Sequence, residues 1–137
     1  MRIAYFKEDS NYHYKDKKAF RKVVEIISHE ENSRFNQLNI VFCSDEYLRE
    51  INQKYLKRNY YTDIITFPYI DKFISGDLLI SIDRIKDNSI NFKSDFITEL
   101  NRVMIHGILH LCGYDDLNEN QKSEMRNKED FYLNFFK

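Results

Sequence analysis

The chain has no tryptophan, one proline and three glycines among 137 residues. So few chain breakers predict short connections and a high helix content. Cysteine is scarce too. Cys43 and Cys112 sit in apolar surroundings and form neither a metal motif nor a disulfide framework, so reduced thiols in a cytoplasmic protein are the expectation. No apolar run approaches the roughly 20 residues of a membrane span. The opening Met1-Arg2-Ile3-Ala4-Tyr5-Phe6 turns charged too early for a signal peptide. Excess charge is also missing: the net charge is −1 and the isoelectric point ≈ 6.4. That excludes a protein gripping nucleic acid by bulk electrostatics and leaves only local basic patches. Lys54, Lys57 and Arg58 form one such patch, which also reads as an ordinary exposed helix end. Lys15, Lys17, Lys18, Arg21 and Lys22 form another, but they alternate with acids and core positions as on the wet side of a helix.

Aromatic residues are plentiful, with ten Tyr and eleven Phe to supply core volume and some tyrosines left for the surface. No composition break divides the chain, so residues 1–137 are expected to form a single domain. Hydrophobic periodicity predicts a strand at Ile3 to Phe6 and a helix over Asp16 to Glu31, with Ala19, Phe20, Val23, Val24, Ile26 and Ile27 inward. Leu38 to Phe42 reads as a buried strand, followed by a helix capped at Ser44 that runs through Leu48, Ile51 and Tyr55. Asp63 to Phe67 and Asp77 to Ile82 are further strands, joined by a connection from Pro68 to Gly76. A short helix starting at Asp83 or Asn88, a long one over Asp95 to Leu111 and a last one over Glu119 to Phe136 complete the chain. Strands mixed with helices in this order indicate an α+β fold, with about four strands in one mixed sheet.

The most informative stretch is His106-Gly107-Ile108-Leu109-His110-Leu111-Cys112-Gly113-Tyr114-Asp115-Asp116. Histidines four residues apart on a helix share one face. Gly113 breaks the helix, lets the chain fold back and brings an aspartate within reach. Two imidazoles and a carboxylate make a three-ligand site with one position open, the pattern of a catalytic rather than a structural metal. Cys112 points away from the histidine face and reads as a small buried hydrophobe. The helical metalloproteases place a glutamate directly after the first histidine as general base. Here that position is Gly107, which makes peptide hydrolysis a poor fit and leaves the ion itself to acidify water. A glycine there costs a helix about 1 kcal/mol relative to alanine, which predicts close approach of another backbone or of a substrate.

This stretch resembles the signature of the bacterial YbeY family of metal-dependent endoribonucleases, His-Gly-x-Leu-His-Leu-x-Gly-Tyr-Asp-His. Thr62-Asp63-Ile64-Ile65-Thr66-Phe67-Pro68 is similar to the family's Thr-Asp-Val-Leu-Ser-Phe-Pro, and Ser75-Gly76-Asp77-Leu78-Leu79-Ile80-Ser81 to its Gly-Asp-Ile-x-Ile-Ser. The likeness runs from about Asn52 to the end. It implies a zincin-like layer fold, with the metal-ligand helix near the C-terminus and His106, His110 and Asp116 as ligands. Family register favours Asp116 over Asp115, which is left to support the site or cap a helix. A carboxylate in place of the family's third histidine lowers the site's charge by one unit and makes harder metals better competitors; zinc is still favoured, with manganese or iron as alternatives. The family commonly places an arginine after an aromatic ahead of the Thr-Asp segment. Here Tyr55 is followed by Leu56, and Arg58 or Lys57 is left to supply the cation. Taken alone, Thr62-Asp63 and Gly76-Asp77 read as turn formers; the resemblance implies that they shape the cleft beside the metal. His13 and His29 read as surface residues.

The resemblance implies single-strand-specific endoribonuclease activity in 16S rRNA 3′-end maturation and ribosome quality control, with His106 and Arg58 as catalytic residues. Single-stranded rRNA and the ribosome or its small-subunit proteins are the implied partners. The alternative from another class is a non-catalytic ribosome assembly factor with a structural metal.

Overall fold

The computed structural model describes residues 1–137. Its elements are β1 (Arg2–Lys7), α1 (Lys17–Glu30), β2 (Phe35–Cys43), α2 (Asp45–Leu56), β3 (Ile64–Pro68), β4 (Ile74–Ser81), α3 (Ile82–Asn91), α4 (Phe96–Leu111), α5 (Glu119–Leu133) and a closing 3₁₀ turn, Asn134–Phe136. The strands form one mixed sheet in the order β1-β2-β4-β3. β1 and β4 run parallel to β2, while β3 is antiparallel to β4 and forms an edge. The α+β fold with a four-stranded mixed sheet is thus as expected from the sequence.

Strand alternation divides the core between the two faces of the sheet. Leu38, Ile40 and Phe42 of β2 and Leu78 and Ile80 of β4 point into the main core, with Phe20, Val23, Val24 and Ile27 of α1 and the apolar positions of α4. Their neighbours Cys43, Ile65 and Leu79 point the other way and meet Leu48 of α2 in a smaller cluster. Helix α4 buries its apolar face in the main core: Leu100, Met104, Ile105, Ile108 and Leu109 are fully buried. No helix is long and apolar enough to cross a membrane. Lys15, Lys17, Lys18, Arg21 and Lys22 are all exposed, the wet side of α1 and its approach, and so are His13 and His29.

Several boundaries differ from the sequence reading, each for a local reason. Ile82 opens α3 instead of ending β4, because the Ser81 hydroxyl accepts a hydrogen bond from the Arg84 N–H and caps a helix there. The last helix gives way to the 3₁₀ turn at Asn134 and does not reach Phe136 in α form. Gly76 is not in a turn. It lies inside β4, where an added Cβ would stand 2.8 Å from the Phe67 carbonyl oxygen and 2.9 Å from Leu111 Cδ2. Gly107 is likewise neither opposite another backbone nor at a substrate face. An added Cβ would meet Ile64 Cδ1 and Leu78 Cδ2 at 2.7 Å, so the glycine lets α4 settle onto sheet side chains.

Candidate metal centre

The end of α4 has the hydrogen bonds of a Schellman motif. The Gly113 N–H reaches the His110 carbonyl at 3.0 Å and the Tyr114 N–H reaches that of Leu109 at 3.1 Å. Gly113 carries φ 105, a conformation that glycine adopts without steric cost. The reversal returns the chain along the helix end and brings Asp116 onto the histidine face. The His106 and His110 Nε2 atoms are 2.9 Å apart, and Asp116 Oδ2 lies 3.3 Å from the first and 3.6 Å from the second. A tetrahedral ion with bonds of about 2.0–2.1 Å needs donors about 3.3–3.4 Å apart, and the three distances bracket that value. Two imidazole nitrogens and one carboxylate oxygen suit a borderline divalent cation, so this His-His-Asp group is able to hold a metal ion.

Glu129 of α5 supports the group from behind. The His106 Nδ1–H donates to Glu129 Oε2 at 2.7 Å, which leaves the Nε2 lone pair facing His110 and Asp116. Arg102 in turn donates from Nη1 to Glu129 Oε1 at 3.1 Å and from Nη2 to Asp130 at 2.6 Å. A carboxylate behind a ligating histidine is the common arrangement in metal sites, where it fixes the tautomer and raises ligand basicity. Burial disfavours the charged imidazolium of His106, but the Glu129 bond and the charges of Glu129, Asp116 and Asp63 outweigh it and raise its pKa.

Two further acids lie close by. Asp63 precedes β3, and its carboxyl is pushed up by burial against the opposing pull of His106. Glu99, buried on α4, is pushed up by burial and by the charge of Asp63. The charges of Glu129, Asp116 and Asp63 all act on His106, which favours a cation there. Asp115 is exposed and does not cap a helix; Asn118 caps α5, accepting from the Gln121 N–H at 2.8 Å. The Cys112 thiol is pushed up to about 11 by burial and packs against the main core, apart from the donors.

A cleft of ≈ 460 Å³ opens onto the donors between α4 and the β3 edge; Asn52, Leu56, Arg58, Tyr60, Thr62 and Asp63 line it beside His106, His110 and Asp116. Lys57 is the left-handed cap of α2 at φ 58, and it turns Arg58 towards the cleft while Lys54 and Lys57 remain outside its lining. A second cleft of ≈ 400 Å³ reaches His106 and Asp116 from the α3–α5 side, lined by Asp63, Asn88, Phe92, Glu99, Lys122 and Arg126 among others. A roomier depression of ≈ 680 Å³ between α1 and α5 touches none of these groups.

The structure brings both histidines and Asp116 together and sets Arg58 on the cleft; the sequence reading had Asp63 only as a cleft former and missed Glu129 and Glu99. Glu129 did leave a trace. It shares the inward stripe of α5 with Met125 and Tyr132, at offsets of four and three residues, and an acid on such a stripe calls for a buried partner.

The family profile described as "Endoribonuclease YbeY" matches residues 3–137. The chain belongs to the YbeY family. Among relatives described as "Endoribonuclease YbeY", the one from Karelsulcia muelleri (strain GWSS) is 48% identical over 136 residues, covering 98% of this chain and 96% of the relative. One from Cytophaga hutchinsonii is 44% identical over 137 residues, covering 98% and 96%. The solution structure of a Thermotoga maritima protein superposes with a TM-score of 0.71 at 27% identity, over 98% of this chain and 89% of that one. The YbeY assignment therefore covers the first half of the chain as well as the three motifs, which begin only at Thr62.

Proposed function

We propose that this chain is a metal-dependent endoribonuclease that cuts single-stranded RNA, with one zinc ion held by His106, His110 and Asp116. The observation that carries the proposal is the convergence of those three donors, at tetrahedral spacing, where two clefts meet. Relatives described as endoribonucleases support the choice of substrate. When bound, the ion supplies Lewis acidity, polarising a phosphate and lowering the pKa of water. His106 presents its Nε2 lone pair because Glu129 holds the proton on Nδ1. Arg58 at the cleft offers a guanidinium to the phosphate oxygens as they gain charge. Gly107 offers no general base. Manganese and iron rank behind zinc for a donor set of two nitrogens and one oxygen.

Residues 1–137 form one catalytic domain in this reading. Its setting is 16S rRNA 3′-end maturation and ribosome quality control in the cytoplasm. The ribosome or its small-subunit proteins present the strand, because a net charge of −1 gives no bulk attraction to RNA.

The test is cleavage of labelled single-stranded RNA by metal-reconstituted protein, a chelated control and His110→Ala. Cleavage only by the reconstituted wild type is expected. Equal background in all three would leave a non-catalytic assembly factor as the better reading. Normal metal content in Asp116→Ala would move the third ligand elsewhere.

A further inference from the structure

The two clefts share Asp63, His106 and Asp116, so they are the arms of one trough running across the donor group. Each arm is lined by an exposed aromatic ring and by at least one cation. In the first arm this is Tyr60, 52% exposed, its hydroxyl 3.4 Å from Arg58 Nη1. The loop is held in place from below: the buried Asn52 side chain donates to the Tyr60 carbonyl at 3.1 Å. In the second arm it is Phe92, 67% exposed at the end of α3, with Lys122 and Arg126 across the cleft. Folding explains neither exposure. Tyr61, by contrast, is already engaged: its hydroxyl donates to Glu46, and the Arg49 and Arg84 guanidiniums lie over its ring.

We infer that Tyr60 and Phe92 are base-stacking platforms on opposite sides of the scissile phosphate. Arg58 in the first arm meets the scissile phosphate beside the Tyr60 ring, and Lys122 with Arg126 in the other neutralise the flanking phosphate. This deepens the ribonuclease reading and rests on it. An aromatic ring beside a cation takes an unpaired base by its π-face and the adjoining phosphate by charge, with little regard to sequence. A duplex keeps its bases stacked on one another and cannot use such platforms, so the trough selects single strands. It does so without a large positive field, in keeping with the chain's near-neutral charge.

The experiment measures KM and kcat of the metal-loaded protein on a labelled single-stranded RNA cut near its middle. It also measures the dissociation constant of that RNA by fluorescence anisotropy. Tyr60→Ala and Phe92→Ala should each raise KM and Kd at least about five-fold, the low end of one base–aromatic stack, and Phe92→Ala, which touches no catalytic group, should keep kcat within about two-fold. Phe92→Trp should restore binding and Phe92→Leu should not, which separates stacking from mere apolar bulk. Shortening the RNA on one side of the cut should abolish sensitivity to one aromatic and leave the other unaffected. Cleavage with unchanged KM and Kd in both alanine variants overturns the platforms and leaves the nuclease standing. Binding of the strand without cleavage, with the same Kd pattern, overturns the nuclease and leaves the platforms standing.

Discussion

Glu129→Gln puts the most weight on the geometry described above. In the native arrangement one carboxylate serves two donors: Oε2 accepts from the His106 Nδ1–H at 2.7 Å and Oε1 from Arg102 Nη1 at 3.1 Å. Glutamine has one acceptor oxygen for those two donors. If that oxygen stays with His106, the amide NH₂ faces a guanidinium. If it turns to Arg102, the NH₂ faces Nδ1, and the imidazole keeps its proton on Nε2, where it blocks the metal lone pair. Either outcome weakens the ion's hold. Loss of such a supporting carboxylate typically costs 10–100-fold in metal affinity, about 1.4–2.7 kcal/mol. Arg102 retains Asp130, so the metal-free fold should lose only about 1–3 kcal/mol.

Competition against a chromophoric chelator measures the first quantity, and thermal unfolding of the metal-free variant measures the second. The pH dependence gives a further check. The bond and charge of Glu129 hold the His106 pKa above its ordinary value, so in the wild type protons compete with the ion as pH falls through that raised value. The glutamine variant loses that competition, and its affinity deficit should narrow towards acid pH. Affinity within two-fold of wild type across the pH range, with the fold intact, would refute the role given to Glu129.

Other expectations follow from the same structure. Metal at 100 times its Kd should stabilise the native state by about 2.7 kcal/mol, roughly 10 °C for a chain of this length, and the shift should vanish in His106→Ala. Scanning calorimetry with and without chelator reads it. Glu31 accepts from Tyr114 at 2.5 Å, from Lys128 at 3.0 Å and from Tyr132, so it ties the turn before Asp116 to α5. Burial alone would raise its pKa, but those bonds outweigh burial and lower it. Its contribution is therefore complete above the ordinary 4.5 and is lost as pH falls through the lowered folded value. Glu31→Gln should cost about 2–3 kcal/mol near neutrality, a gap that closes in acid denaturation curves below that window. Gly76→Ala pushes a Cβ against the Phe67 carbonyl and Leu111 and should cost about 1–3 kcal/mol by urea unfolding.

The parts of the centre legible in the sequence are those joined by local geometry. His106 and His110 are one helical turn apart, and Gly113 closes a Schellman motif whose pattern is local, so the Asp115-Asp116 pair could be brought within reach without knowing the fold, and family register chose Asp116. Glu129 lies 23 residues beyond His106 and reaches it only because α4 and α5 pack together. Asp63 arrives from a different layer, through the pairing of β3 with β4. No spacing rule encodes such contacts; tertiary packing sets them.

The two glycines read as turn and substrate signals show the same division. Gly76 and Gly107 are small because opposing surfaces need the room: Leu111 and the Phe67 carbonyl at one, Ile64 and Leu78 at the other. Both contacts lie between α4 and the β3–β4 edge, so both set how closely the histidine helix approaches the sheet. That distance determines whether Asp63, carried by the strand layer, and His106, carried by the helix, border the same trough. In this fold the packing glycines act on the chemistry indirectly, by fixing the width of the site.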